Sequence, residues 1–393
     1  MSLIADTASL AGFCQRLRTA PFVTVDTEFM REKTYWPVLC LVQLAGPDEA
    51  LAVDPLAPGI DLAPLFELMA DPNVLKVFHA ARQDIEIFHH LSGAIPTPIF
   101  DTQVAAMVCG FGEAVSYETL ATQLARARID KSLRFTDWAQ RPLSERHLHY
   151  ALSDVTHLRL AYEKLQKRLD RDGRAAWLTE EMDLLSDPRT YLMDADEVWR
   201  RLKPRSSSPR FLMVLKTLAA WREREARARD LPRQRVMRDE TLMEVAAQAP
   251  VTVEDLAKTR GLSKGAAEGR HGEAVLEAVR LALATPQAEW PDVPPKAALP
   301  RGLGPIVDLL KVLLKLKCDQ HEVAQRLIAS ASDLEAIAAD DDAAIAALQG
   351  WRRTIFGEDA LRLKHGQLGL ALARDGKALR LIEIDPKSPS KPS

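Results

Sequence analysis

Short apolar runs and helical spacings alternate through the first hundred residues. Residues 21–29 (PFVTVDTEF) carry the β-branched and aromatic residues of a strand, and similar short runs follow at 39–45 (LCLVQLA) and 50–54 (ALAVD). Gly46, Pro47 and Asp48 supply a turn between the second and third, so these three runs predict an antiparallel meander. Apolar positions then take helical spacing at 61–70 and return to a strand at 74–79. They predict a helix over about 81–91 and a short strand at 98–101, and stay helical to about 185. Strands first, then alternation, then helices alone predict an α/β layer with helices packed on a mixed sheet.

A polar, proline-bounded break follows at Lys203–Pro209 (KPRSSSP), with the composition of an interdomain linker. Beyond it 210–285 is helical throughout, with Leu212, Leu215, Leu218 and Trp221 forming an apolar stripe. A second connector, Trp290–Pro295 (WPDVPP), precedes another helical block from about 303 to 372. The expected division is therefore 1–203, 204–289 and 290–378, with a tail over 379–393 whose last residues, DPKSPSKPS, should be disordered.

Composition narrows the class without naming it. With 47% hydrophobic and 27% charged residues, the 393-residue chain reads as a soluble globular protein. Its net charge of -3 is compatible with an acidic site held by metal and a basic patch elsewhere. Cys14, Cys40, Cys109 and Cys318 are far apart, which disfavours a zinc site or disulfide framework and suits reduced thiols. The start lacks a signal-peptide pattern and no apolar run reaches membrane-spanning length. A cytoplasmic location is expected.

The chemistry lies in three segments. Asp26 and Glu28 are two apart on a strand and so share a face. Asp84 falls in the first turn of the helix after the 74–79 strand, where the helix N-terminus favours negative charge. Ser144 is a candidate N-cap for a helix on which Tyr150 and Asp154, four apart, stack on one side. Each has an ordinary reading, as a strand dipeptide, a capping residue or a solvated helix face. Brought together they would form a carboxylate cage, unfavourable without cations because like charges at short range resist joint ionisation. Two divalent ions in such a cage serve to cut phosphodiester bonds.

The segments VDTEF, HAARQD and YALSDV resemble the three motifs of the DEDD superfamily of 3′→5′ exonucleases. FDTQVAA and KSLRFTDWAQRPLSERHLHYALSDVTHL are similar to the ribonuclease D family. The resemblance covers about residues 1–200. It implies a ribonuclease-H-like fold, a five-stranded mixed sheet with flanking helices. It also implies that Asp26, Glu28, Asp84 and Asp154 hold two Mg²⁺ or Mn²⁺ ions while Tyr150 orients the attacking water. The superfamily divides by whether this fifth residue is tyrosine or histidine, and His149 sits beside Tyr150. On a regular helix Tyr150 is about 40° from Asp154 and His149 about 140°, which favours the tyrosine. Residues 210–285 resemble the helicase-and-RNase-D C-terminal (HRDC) domain, and 303–372 a divergent second copy, so two all-α helical bundles should follow the sheet.

Further candidates surround this set. Thr27 and Phe29 suit either the terminal nucleotide or the core. Tyr35 and Trp36 suit either base stacking or a packed loop. His79 reads as the end of a buried strand and Asp101 as a cap, while Lys131 and Arg134 are candidate phosphate contacts. Arg222, Arg224, Arg227, Arg229, Arg233, Arg235 and Arg238 make a candidate RNA face, with Glu223, Glu225 and Asp230 interleaved. The implied enzyme is a monomer that releases nucleoside 5′-monophosphates from single-stranded RNA 3′ ends, tRNA precursors among them. A DNA exonuclease of the same superfamily, or an inactive RNA-binding scaffold, would share much of this pattern.

Overall fold

The computed structural model describes residues 2–129, 133, 136–204, 206–291, 300, 302–374 and 376–384. Lys131, Arg134, most of the second connector and the last nine residues lie outside the described set. Strands β1 (Leu3–Ile4), β2 (Phe22–Met30), β3 (Val38–Ala45), β4 (Ala50–Val53), β5 (Leu75–Phe78) and β6 (Ile99–Asp101) form one mixed sheet, ordered β1-β4-β3-β2-β5-β6. The meander β2–β3–β4 is antiparallel, while β5 and β6 join in parallel. Five of these strands match the sequence expectation. The sixth, β1, is a two-residue edge strand paired with β4, too short to leave a periodic signal.

Helices α1 (Thr7–Leu17), α2 (Ala63–Ala70) and α3 (Arg82–Ser92) cover one sheet face. They bury Leu10, Phe13, Leu65, Leu68, Ile85 and Phe88 against Val23 and Val25 of β2. Each such side chain contributes roughly 1.5–3 kcal/mol on leaving water. After α4 (Thr102–Val108) and the short α5 (Tyr117–Leu120), the opposite face receives α6, the 27-residue helix Glu145–Arg171. Ser144 caps α6 by accepting from the His147 amide at 3.2 Å. The Thr24 hydroxyl donates to the Val155 carbonyl at 2.8 Å and ties β2 to the helix. The continuous helical stretch expected up to 185 is broken. Among the described residues between 126 and 144 there is no α-helix, consistent with the charged run after Ala125 and Pro142 ahead of the cap.

The helical half divides unequally. After α7 (Thr179–Ser186), residues around α8 (Pro209–Ala228) build a separate core from Leu212, Leu215, Leu218, Leu242, Val275 and Val279. The last block instead shares a core with the sheet domain. Val307, Leu310, Leu313 and Phe356 pack in one cluster with Val77, Phe100, Ala105 and Leu165. Trp177 and Trp351 stack at 4.4 Å, and Arg352 reaches Glu181 at 3.0 Å from across that boundary. Gly110, at φ +78°, lies so close to Glu322 that a side chain there would collide with it. The all-helical expectation also fails at the end of the chain, where β7 (Leu368–Leu372) and β8 (Leu379–Glu383) form an antiparallel hairpin. Its alternating Leu, Ala and Ile residues are short enough to pass for one more helical turn. No helix among the described residues is long and apolar enough to cross a membrane. All four cysteines are buried and free.

Candidate active site

The site exists because two neighbouring strands end at different places. β2 pairs with β5 only from Phe22 to Thr24, whereas its pairing with β3 continues to Met30. Past Thr24 one edge of β2 is therefore open, and Asp26 and Glu28 stand on that half. Alternation aims both carboxylates at the face occupied by α6 and turns Thr27 and Phe29 to the opposite face. A register shift between Glu28 and Phe29 leaves Cys40 of β3 unpaired in the ladder and ends the regular part of the strand.

From α6 comes Asp154. Ligand oxygens of Asp26, Glu28 and Asp154 lie within 4.8 Å of one another, a spacing compatible with a bound cation. Asp84 adjoins them from α3 and is buried, with its Oδ1 accepting from the Thr27 hydroxyl at 2.5 Å. The turn that delivers Asp84 is clamped by Asp101. Its Oδ1 accepts from the Ala80 amide and its Oδ2 from the Ala81 amide, at 3.0 and 2.9 Å. Ala80 is held at φ +57°, an uncommon conformation for alanine. Asp101 also caps α4 through the Gln103 amide at 2.8 Å, so its expected role as a cap extends to both helices.

Electrostatics records the crowding. Burial first, then the neighbouring carboxylates, pushes Glu28 up to about 9. Burial and then Asp26 push Asp154 up to about 8. Asp84 rises well above the usual carboxylate range for the same two reasons, and burial raises Asp26 to about 6. Cations at the site would reverse this cost. The oxygen donors fit hard divalent ions, and the buried Asp154 Oδ1 has no hydrogen-bond partner. The residues present therefore fit a divalent metal site. Asp26, Glu28 and Asp154 would form its nearest set, with Asp84 adjoining.

Tyr150 lies one turn before Asp154 on α6, half-buried, with its ring stacked at 6.3 Å on Trp138, whereas His149 is exposed. Arg141 fixes the approach to this helix. It grips Asp54 at 2.8 and 2.6 Å and donates to the Cys40 carbonyl at 2.7 Å. Tyr117, from α5, donates to the Asp154 carbonyl. His79 bonds Thr102 and the Val115 carbonyl and packs its ring against Tyr117, consistent with a structural strand end. Sequence reasoning missed Arg141 and Tyr117, since neither stands in a chemical pattern until the chain folds. Gln43, opposite Asp26 on β3, was missed too; it is fully buried with both amide atoms unpaired.

Several expected substrate contacts are corrected. Arg222 is buried and donates to the Met237 carbonyl at 2.8 Å and to Asp239 at 2.6 Å. Arg233 is bound to Glu223, and Arg227 shares the same carboxylate. Arg222 is an interior ion-pair partner of Asp239, and the half-buried Arg227 and Arg233 are paired on the interleaved Glu223, so none of the three is an uncommitted phosphate contact. Arg229 is more exposed and reaches Glu225 at 3.2 Å. Tyr35 is buried, its hydroxyl on Glu223 and its amide on Asp230, so it joins the sheet domain to α8 rather than stacking on a base. Trp36 stacks on His90 at 4.0 Å. Phe29 packs against the core between the sheet and α1–α3, while Thr27 supports Asp84.

Comparison with known proteins places this arrangement. Residues 1–170 match the 3′-5′ exonuclease family, and residues 211–279 match the HRDC domain. Ribonuclease D of Gluconacetobacter diazotrophicus is 52% identical over 97% of this chain and 96% of its own length. Ribonuclease D of Granulibacter bethesdensis is 51% identical, again over 97% of this chain and 96% of that protein. The crystal structure of Escherichia coli RNase D, described as an exoribonuclease involved in structured RNA processing, superposes with a TM-score of 0.79. It does so at 29% identity, covering 93% of this chain and 98% of that one. The chain belongs to the ribonuclease D family.

Proposed function

We infer that this protein is a hydrolytic 3′→5′ exoribonuclease that releases nucleoside 5′-monophosphates from RNA 3′ ends. The observation that carries the reading is the convergence of Asp26, Glu28 and Asp154, with Asp84 adjoining, at the open edge of β2. Bound Mg²⁺ or Mn²⁺, two ions in the reading we favour, would supply charge neutralisation and a more acidic water. The protein's own part is to hold the carboxylates. Thr27 fixes Asp84 and the Asp101 clamp sets the turn before it. Tyr117 and the capped helix α6 fix Asp154. We assign Tyr150 to orienting the attacking water, supported by its place one turn from Asp154 and by the exposure of His149.

The involvement of the Escherichia coli relative in structured RNA processing supports structured RNA as substrate, and tRNA precursors with single-stranded 3′ ends are the members we favour. We further propose that the enzyme acts as a monomer in the cytoplasm; the four free thiols are in keeping with a reducing compartment. The HRDC domain would contact RNA through Arg235, Arg238 and Arg260, which line an open cleft of about 930 Å³. The test is incubation of the purified chain with matched 5′-labelled single-stranded RNA and DNA, in Mg²⁺, Mn²⁺ or chelator. Stepwise metal-dependent shortening of RNA from its 3′ end is expected. Shortening of DNA alone would move the substrate class, and no shortening with any metal would leave an RNA-binding scaffold.

A further inference from the structure

Between α3 and α8 runs a polar groove of about 270 Å³, walled by Arg31, Trp36, Arg82, Tyr191, Arg201 and Arg233. It opens into a second cleft of about 470 Å³, with which it shares Arg31, Arg201 and Arg233. Counting Arg227, five arginines line the smaller groove against one carboxylate, Glu86. Three of them are already satisfied. Arg31 holds Glu86 with two nitrogens at 2.8 Å, and Arg227 and Arg233 share the buried Glu223. Arg82 and Arg201 are exposed and have no hydrogen bond or ion pair among the described residues. Positive charges set in one concave wall without counter-charge focus potential and attract an anion.

The groove is walled by the segments that carry the carboxylates, the end of β2 and the first turns of α3. Arg31 follows Glu28 by three residues along the chain, about 10 Å at the strand rise. Arg82 and Glu86 are one turn apart on α3 and both line the groove, while Asp84 of the same helix turns to the carboxylates. The far wall is contributed by Arg201 and Arg233, from the segments before and after α8. A chain threaded from the site along this wall meets both domains.

We propose that this groove carries the sugar–phosphate backbone of the RNA on the 5′ side of the nucleotide being removed, with Arg82 and Arg201 as phosphate ligands. The assignment rests on the exonuclease reading. It names where the strand leaves the site and makes the junction of the two domains part of substrate binding. Because these ligands meet phosphate and not base edges, the contact is independent of sequence and sensitive to salt.

The experiment compares the full wild-type chain with the double variant Arg82→Gln, Arg201→Gln. Equilibrium binding of labelled single-stranded RNA is measured in chelator over a range of salt. Loss of two single-strand phosphate contacts, at about 0.7 each, makes the plot of log affinity against log salt shallower by about 1.4. Affinity for a long oligonucleotide falls, and the loss shrinks for a dinucleotide without a 5′-phosphate, whose single phosphate is the one at the carboxylates. Thermal melting is the folding control, since neither arginine has a hydrogen-bond or ion-pair partner among the described residues. An unchanged slope, from a wild type that shortens RNA in Mg²⁺, refutes the groove and leaves the exonuclease reading intact. An equal loss on the dinucleotide also refutes it, by placing the arginines at the scissile end. A wild type that shortens nothing overturns the exonuclease reading itself.

Discussion

Replacing Glu28 with Gln should destroy the nuclease and stabilise the metal-free protein. Burial and the surrounding carboxylates raise Glu28 from 4.5 to about 9 in the folded chain. The folded state therefore keeps a proton that the unfolded chain has lost, and stability falls as pH rises between those two values. The slope is about 1.4 kcal/mol per pH unit for one such group. From pH 6 to pH 8 the bound is twice that, about 2.8 kcal/mol, and water at the site reduces it to roughly 1–2 kcal/mol. Glutamine keeps the shape and cannot ionise, so this share of the pH dependence disappears in Glu28→Gln. Thermal melts in chelator at pH 6 and pH 8 measure it. Wild type should melt lower at pH 8, and the variant should show a smaller difference and melt above wild type at pH 8. Adding Mg²⁺ should raise the wild-type midpoint, as a ligand specific for the folded state does, and raise the variant's less. A variant that melts below wild type in chelator at pH 8, or a wild type indifferent to Mg²⁺, would refute the crowded-carboxylate account.

Three other outcomes follow from the same geometry. Asp84→Asn should lower turnover by at least about a hundredfold, about 2.7 kcal/mol of barrier, while RNA binding stays measurable; wild-type rates would remove Asp84 from the site. Tyr150→Phe should lose much of the activity and His149→Ala little, and single-turnover rates in the reverse order would assign the water-orienting role to the histidine. Arg222→Ala should destabilise the HRDC domain by about 2–3 kcal/mol without changing the salt dependence of RNA binding, because the arginine is spent on Asp239 and the Met237 carbonyl. Chemical denaturation measures the first quantity, and a shallower salt slope in this variant would return Arg222 to the RNA face.

The shared core also changes what a truncation can show. Removing residues 206–393 takes away Val307, Leu310, Leu313 and Phe356, which close a cluster with Val77, Phe100 and Leu165. Such a fragment would expose that apolar surface, so its RNA affinity would confound loss of a binding domain with loss of the fold. Ending the HRDC comparison at substitutions keeps the two apart.

Much of this protein is written in local pattern. The alternating run at 21–29, the short apolar run at 39–45, the helical spacing at 81–91 and the Ser144 cap determine β2, β3, α3 and α6, because strand and helix geometry act over a few residues. The same locality places Asp26 beside Glu28 on one face and Tyr150 beside Asp154. The order of the three motifs carries the family. Tertiary structure decided what local pattern could not. Which arginines are free depends on which acids fold back on them: Arg222 and Arg233 are consumed by Asp239 and Glu223, while Arg82 and Arg201 are left facing a groove. Tyr35 suited base stacking and a packed loop alike and became a bolt between domains, since Glu223 and Asp230 lie some 190 residues away in sequence. The cage itself depends on β5 stopping at Phe78 while β2 runs on to Met30. That difference in strand length opens the edge where Asp84 meets the other carboxylates, and only the assembled sheet contains it.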